Sequence, residues 1–128
     1  MPRAATVVAR ARNLVGVPFR PQGRSSATGL DCIGLVAEAF GLRNVPADYR
    51  LRGGAVAELE QGLADAGLHR CRGEAAAGDV LVMRPAAQQL HLGIWTGGGI
   101  VHADARLGRV VERPGPPPWT LIGTWRGE

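Results

Sequence analysis

Apolar residues recur with two different periods along this chain, and the period changes near the middle. In the first half they repeat at helical spacing over residues 4–15, over the run CIGLVAEAFGL and over residues 55–66. Asp31 stands where the N-cap of the second helix is expected, and Gly41 stands where that helix should end. The first half is therefore predicted to form three helices, with a loop over residues 44–54.

Short apolar runs of strand length fill the second half. These runs are residues 79–84, 90–96, 99–104, 108–113 and 119–125. Glycine, proline and polar stretches separate them, including GPPP at 115–118, which cannot lie inside a strand ladder. Helices followed by strands predict an α+β fold, a single domain over residues 1–128 in which N-terminal helices pack on a mostly antiparallel sheet of about five strands.

Composition excludes several classes of protein. Of the 128 residues, 45% are apolar and 20% are charged, which is typical of a globular domain and not of a disordered chain. Two cysteines are too few for a disulfide scaffold. Arginines at positions 3, 10 and 12 interrupt any apolar segment of a signal peptide, and no run of about 18 apolar residues could span a membrane. We therefore expect synthesis in the cytoplasm without a signal peptide, and no membrane partner.

The charge of the chain says little about a partner. All fifteen basic residues are arginines, and the net charge is +4. Positive charge favours an anionic partner such as nucleic acid or cell wall. The arginines are scattered, however, without a dense block or interleaved aromatic residues, so no nucleic-acid partner is expected.

Cys32 becomes the first residue of the second helix if Asp31 caps that helix. The free N–H groups and the positive end of the helix dipole then favour a thiolate, and the same N–H groups can stabilise an oxyanion. Gly29 and Gly34 would leave room for a substrate backbone. The negative charge of Asp31 opposes a thiolate, and a lone cysteine is also commonly a small buried hydrophobe, so a partner base decides between the two interpretations.

Two of the three histidines fall in the segment LHLGIWTGGGIVHAD, which is typical of a hairpin. If Gly97 and Gly98 form a two-residue loop, Gly93 pairs with His102. His91 and His102 then lie on one face as diagonal neighbours, with Cβ atoms about 7–8 Å apart. A three-residue loop would place them on opposite faces, so the prediction depends on the turn.

Two histidines on one face and a cysteine at a helix head are typical of thiol-based hydrolysis. Cys32 would be the nucleophile, His91 the base that later protonates the leaving amine, and His102 the group that orients His91, with no cofactor and no metal. Asp104, directly opposite His91, is an alternative orienting group, and the small Gly93 lies beside the histidines. A zinc site with the cysteine, both histidines and a water as ligands is a rival hypothesis, as are two histidines that only bond to the backbone.

Four motifs in order resemble the NlpC family of bacterial and phage cell-wall cysteine peptidases, a papain-like group. The motifs are DCIGLV (31–36), HLGIW (91–95), VHA (101–103) and GDVLVM (78–83). They are similar to the family's nucleophile stretch, base strand, closing hairpin segment and Gly-Asp pair, and the resemblance runs from about residue 4 to 113. Ile33 stands where the family has serine, Phe19 stands where it usually has tyrosine, and the hairpin is about one residue shorter than in many members.

The resemblance implies a papain-like NlpC-type fold and hydrolysis of an amide in the peptidoglycan stem peptide, usually between D-glutamate and the diamino acid. The stretch PFRPQGRSSATGLDCIGL is closer to the phage-tail and gene-transfer-agent branch. That branch implies other tail proteins as partners and action at the periplasmic cell wall, with a phage-like particle delivering the enzyme. A structural tail-tip protein without catalysis, or a thiol amidase or acyltransferase acting on another amide, remains an alternative.

Several other side chains lie near these motifs. The candidate substrate-binding or cleft residues are Phe19, Arg20, Gln22, Arg24, Asp31, Gly93 and Asp104. An arginine in the loop before the cysteine helix could pair with a substrate carboxylate. His69 and Cys71 are predicted to lie in a loop and not to bind a metal. The three tryptophans are interpreted as core or docking residues: Trp95, Trp119 and Trp125.

Overall fold

The computed structural model describes residues 1–46, 50–53 and 55–127. Part of the predicted loop 44–54 therefore lies outside the described residues. The elements of the described part follow one another as α1 (Ala4–Asn13), β1 (Arg24–Ser25), β2 (Gly29–Leu30), α2 (Cys32–Phe40), α3 (Val56–Asp65), β3 (His69–Cys71), β4 (Val80–Ala86), β5 (Gln89–Trp95), β6 (Gly99–Asp104), β7 (Arg109–Pro114) and β8 (Thr120–Arg126).

The main sheet has the strand order β3-β8-β4-β5-β6-β7, and each neighbouring pair is antiparallel. β1 and β2 form a separate two-stranded ribbon just before the helix that carries Cys32. The predicted α+β class, with helices against an antiparallel sheet, is confirmed. None of the helices in the described ranges has the length and apolar character that a membrane crossing requires.

The sheet has one more strand than predicted, because β3 gave no apolar signal. Its three residues, HRC, are polar or only half-buried, and they pair with β8 at the edge of the sheet through the backbone. An edge strand of this length is held by main-chain bonds rather than by an alternating face, so hydrophobic patterning misses it. His69 and Cys71 therefore lie on an edge strand, and their assignment to a loop was wrong.

The helix that begins at Cys32 has the predicted ends. Asp31 is its N-cap and accepts a hydrogen bond from the backbone N–H of Gly34 at 2.8 Å. Gly41 ends the helix with φ of 68°, a left-handed conformation that glycine adopts without a Cβ clash. α1 ends at Asn13, two residues before the predicted boundary, and α3 spans 56–65 within the predicted range.

Alternation along β5 decides which side chains face the helices. Leu90, Leu92 and Ile94 are buried in the main core, which includes residues of α2. Full burial of one such side chain contributes about 2 kcal/mol, and a one-residue slip of the strand would turn all three out of the core. The register of the strand is therefore pinned by its apolar face, and His91 is held on the opposite face.

Candidate active site

The head of α2 is built around Cys32, whose side chain is only 2% exposed. Arg24 lies beside it: its Nη1 donates to Oδ1 of Asp31 at 2.6 Å, and its Nη2 donates to the backbone oxygen of Pro46 at 2.8 Å. Asp31 thus binds an arginine and caps the helix at once. Arg24 was predicted to line the cleft, but its guanidinium is already engaged by the chain's own carboxylate.

Two glycines near the cysteine make room for the chain itself. A Cβ on Gly34 would collide with the backbone oxygen of Gly23, and a Cβ on Gly29 would lie 2.7 Å from the Cβ of Arg20. The loop before β1 therefore packs directly against the first turn of α2. The expectation that these glycines leave space for a substrate backbone was wrong, because the loop occupies that space.

The hairpin of β5 and β6 has the two-residue loop on which the histidine prediction depended. Ile94 pairs with Val101, and the N–H of Thr96 donates to the oxygen of Gly99 at 2.8 Å. This register leaves residues 97 and 98 as the loop and brings both histidines to one face. The turn prediction is confirmed.

His91 and His102 are in direct contact. Nε2 of His91 lies 3.0 Å from Nδ1 of His102, and the two rings are nearly perpendicular, at 89°. Asp104 is engaged elsewhere, because its Oδ1 accepts from the N–H groups of Arg106 and Leu107 at 2.9 and 3.0 Å and so closes the turn after β6. His102, and not Asp104, is therefore the hydrogen-bonded neighbour of His91.

The cysteine and the histidine strand meet at Leu92, the residue after His91. The N–H of Leu92 lies close enough to the Cys32 sulfur to lower the pKa of the thiol, as do Arg24 and the N–H of Cys32 itself. Burial and the charge of Asp31 act in the opposite direction and are stronger, so the pKa of Cys32 is raised to about 12. The helix head alone was expected to favour a thiolate, but burial of the sulfur keeps the thiol protonated.

Both histidines are also held in their neutral form. Burial, and then the neighbouring His102, lower the pKa of His91 to about 4, against a smaller opposing effect of Asp104. The pKa of His102 is lowered as well, first by burial, while Asp104 opposes and Arg113 adds to the shift. The resting site therefore holds a thiol and two uncharged imidazoles.

A third aromatic ring completes the histidine site. Trp119 contacts both imidazoles edge to face, with ring centroids 5.2 Å from each. Sequence reasoning interpreted this residue as core or docking surface, because it lies more than fifteen positions beyond His102 and outside the recognised motifs. One feature of the sequence could have singled out Trp119. It follows three prolines and directly precedes the last strand, so its backbone position is restricted on both sides.

The other predicted cleft residues have different surroundings. Phe19 is half-buried against the main core, and its N–H donates to the oxygen of Gly108 at 2.9 Å. Arg20 and Gln22 are exposed in the loop before β1. Gly93 is buried, because the side chain of Ile100 lies where a Cβ would be. Gly93 is therefore covered by the protein itself, while a substrate role for Arg20 and Gln22 stays a prediction.

The geometry does not favour the zinc hypothesis. Across residues 1–46, 50–53 and 55–127, no group of three or more His, Cys, Asp or Glu side chains is arranged to hold a metal ion.

A cavity of about 310 Å³ lies between α2 and α3, next to Ile33 and Leu92. Its lining is mainly apolar and does not include the cysteine or either histidine.

The sequence matches the family model for the NlpC/P60 family over residues 16–120. The fold is similar to the P60 domain of an antigen from M. avium subspecies paratuberculosis, with a TM-score of 0.66, 22% identity, and coverage of 97% of this chain and 93% of that chain. It is also similar to the NlpC/P60 domain of the peptidoglycan hydrolase SagA, with a TM-score of 0.62, 24% identity, and coverage of 88% and 90%.

A third similar structure is the peptidoglycan hydrolase RipB from Mycobacterium tuberculosis. Its TM-score is 0.64 at 25% identity, and the match covers 99% of this chain and 68% of that chain. These likenesses confirm the predicted NlpC-type arrangement of helices and antiparallel sheet. No curated protein sequence gives a significant match.

Proposed function

Because the chain belongs to the NlpC/P60 family, we propose that it is a cysteine peptidase of bacterial cell-wall peptide. Cys32 is the nucleophile, His91 the general base and His102 the group that orients His91. One observation carries this assignment: Nε2 of His91 lies 3.0 Å from Nδ1 of His102, on the strand that also meets the cysteine at the head of α2.

The contact between the histidines is compatible with the proton positions that catalysis needs. One nitrogen of the pair must carry the hydrogen, and with it on Nε2 of His91, Nδ1 of His102 accepts. His91 then keeps an unprotonated Nδ1, and a neutral imidazole is the form that can take a proton from a thiol. His102 thus fixes the tautomer and ring orientation of His91, as the third residue of a catalytic triad does.

The reaction then proceeds in two halves. The Cys32 sulfur attacks the amide carbon while its proton passes to His91, and the N–H of Cys32 stabilises the negative oxygen. His91 returns the proton to the leaving nitrogen as the C–N bond breaks, which leaves a thioester. Water, deprotonated by His91, attacks that thioester and releases the carboxylate, and the proton returns to the sulfur.

The neutral resting state decides when the thiolate forms. With the pKa of Cys32 near 12 and that of His91 near 4, an ion pair is unfavourable before substrate arrives. In the proposed mechanism, proton transfer accompanies attack on the carbonyl, and the stabilised oxyanion provides the driving force.

The proposed substrate is the stem peptide of peptidoglycan, cleaved between D-glutamate and the diamino acid. Family membership supports this substrate class, and two similar structures, SagA and RipB, are peptidoglycan hydrolases. The proposed bond rests on the family resemblance of the DCIGLV and HLGIW motifs. Attack by the thiol, proton transfer through His91 and hydrolysis by water require no cofactor.

We also propose that the chain, a single domain over residues 1–128, acts as a component of a phage or gene-transfer-agent tail. The stretch PFRPQGRSSATGLDCIGL supports this placement through its resemblance to that branch. A tail would carry the domain to the periplasmic wall and supply its protein partners. Copurification of the chain with tail particles, followed by peptide mass analysis, tests this proposal.

A structural tail-tip protein that no longer catalyses is the second candidate. The observation in its favour is the burial of Cys32, which is 2% exposed and whose pKa is raised by that burial. Retention of a hydrogen-bonded histidine pair, one member of which adjoins the residue that meets the cysteine, favours the peptidase.

Digestion of purified peptidoglycan decides between these candidates. Wild type, Cys32→Ala and Cys71→Ala are compared, and the released fragments are identified by mass. We expect stem-peptide fragments from the wild type and from Cys71→Ala, whose cysteine lies on the edge strand β3, and none from Cys32→Ala. Fragments cut at another amide would favour the amidase alternative, and no fragments from any protein would favour the structural one.

A further inference from the structure

The rings of His91, His102 and Trp119 contact one another in a triangle on the hairpin of β5 and β6. The ring centroids of His91 and His102 lie 5.1 Å apart, and Trp119 lies 5.2 Å from each of them. The three planes are mutually close to perpendicular, at 83° to 89°. Edge-to-face contact at this distance is the favourable arrangement for aromatic rings.

The indole of Trp119 is held in place from two sides. Three prolines at 116–118 precede it and restrict the backbone, since each fixes its own φ angle. Thr120, directly after it, begins β8 and pairs with Arg84 of β4. The ring packs on a small apolar cluster on the face of the sheet away from the main core: Leu81, Met83 and Ile100. Trp119 is half-buried, and its ring contacts both this cluster and the two histidines.

We propose that Trp119 is a positioning residue for the catalytic histidine pair: its indole excludes water from both imidazoles and holds Nε2 of His91 against Nδ1 of His102. This inference rests on the proposed function, since it gives the pair a catalytic task. Water at either nitrogen would compete for the single hydrogen bond that sets the tautomer of His91.

In the described part of the chain, few charged groups act on the two imidazoles. They are Asp104 on β6 and Arg113 on β7. The titratable Cys32, at the start of α2, lies next to Leu92 of β5. Asp104 favours protonated histidine, yet burial outweighs it at both rings. Burial is the largest cause of the low pKa of His91, and Trp119 is one of the residues that cover the ring.

The test is an NMR titration of the histidine side chains in wild type, Trp119→Leu and Trp119→Phe. In the wild type we expect a His91 pKa of about 4. Leucine at position 119 should admit water and raise that pKa by about one unit or more toward 6.5, and phenylalanine should give a smaller rise. The imidazole nitrogen shifts should also show the loss of one fixed tautomer in Trp119→Leu.

Trp95→Leu is the matched control. Trp95 packs on the same small cluster, but among the described residues the tryptophan ring that contacts the histidines is that of Trp119. Trp95→Leu should leave both histidine pKa values unchanged. The proposal would be overturned if the histidine pKa values of Trp119→Leu and Trp119→Phe equalled those of Trp95→Leu. If Trp119→Leu does not fold, Trp119→Phe decides by the same titration.

The titration needs no substrate, so it separates two kinds of failure. A raised histidine pKa in Trp119→Leu with no wall digestion by the wild type would leave the effect of Trp119 on the histidines intact and refute the peptidase. Wall digestion by the wild type and an unshifted pKa in Trp119→Leu would do the reverse. If both proposals hold, Trp119→Leu should also lower kcat about tenfold and move the acidic limb of its pH profile upward, with KM little changed.

Discussion

Two buried aspartates pair with arginines at different places in this fold. Asp31 is 7% exposed, caps α2 through the N–H of Gly34 and binds Arg24 at 2.6 Å. Asp79 is 1% exposed, accepts from the N–H of Ala76 at 2.8 Å, and binds Arg126 through both oxygens at 2.7 and 2.8 Å. Each carboxylate thus satisfies one backbone donor and one guanidinium.

The two pairs differ in what lies next to them. Asp31 and Arg24 act on the pKa of Cys32 in opposite directions, the first raising it and the second lowering it. Asp79 lies where β4 meets Trp95, four residues and about 13 Å along β5 from His91. The same type of carboxylate–guanidinium pair therefore stabilises the fold at both places. Of the two pairs, only Asp31 and Arg24 act through their charges on the pKa of Cys32. The comparison predicts three separable outcomes.

The largest effect, on stability, is expected at the pair of Asp79 and Arg126, which we call the remote pair because it lies away from the cysteine. Asp79→Ala leaves the Arg126 guanidinium and the N–H of Ala76 without their acceptor, and should lower the free energy of unfolding by about 3 kcal/mol, measured by urea denaturation. Asp79→Asn should lose less, because it keeps an acceptor for that N–H. Wall digestion per folded molecule should stay at the wild-type level, and a loss of activity in folded Asp79→Ala would contradict the separation of the two sites.

At the cysteine, Asp31→Asn should change reactivity. Asparagine is also a good helix cap, so the bond from Gly34 can be kept while the negative charge is removed. The pKa of Cys32 should then fall, since that charge raises it, and alkylation at pH 8 should accelerate about tenfold for each unit of pKa. Rates are measured by mass in a Cys71→Ser background, where one thiol remains. Asp79→Asn in the same background should show the wild-type rate; an equal acceleration there would refute the local role of Asp31.

The smallest effect is expected from the arginine. Arg24→Met removes the positive charge that opposes Asp31, so the pKa of Cys32 should rise further and alkylation should slow a few-fold in the same Cys71→Ser background. Arg126→Met serves as control, because it breaks the remote pair and should lower stability without altering the alkylation rate. Faster alkylation in Arg24→Met would mean that Arg24 shields the thiol sterically rather than electrostatically.

Local sequence rules predicted the parts of the site that depend on neighbours in the chain. Asp31 as cap and Gly41 as stop follow from helix-end chemistry. The histidine pair on one face follows from a two-residue glycine loop and the period of a strand. These inferences hold because the physical cause lies within a few residues of its effect.

Long-range packing decided the features that the sequence alone could not predict. Arg24 was interpreted as a cleft residue, but only the folded loop shows that its guanidinium is bound to Asp31. Gly29 and Gly34 were expected to admit substrate, whereas the loop before β1 fills the space beside them. The edge strand 69–71 carries no apolar pattern, because its bonds are made by the backbone to a strand more than fifty residues away.

By itself, the sequence determined the α+β class, the cysteine at the head of a capped helix and the pairing of His91 with His102, because helix caps, strand period and turn length are local properties. Tertiary structure decided the charge state of that site. The pKa values of Cys32 and His91 are set mainly by burial, and burial depends on what the whole chain brings over each group. Trp119 belongs to this second category: its contacts with both histidines exist only because the last strand returns to pair with β4 beside β5.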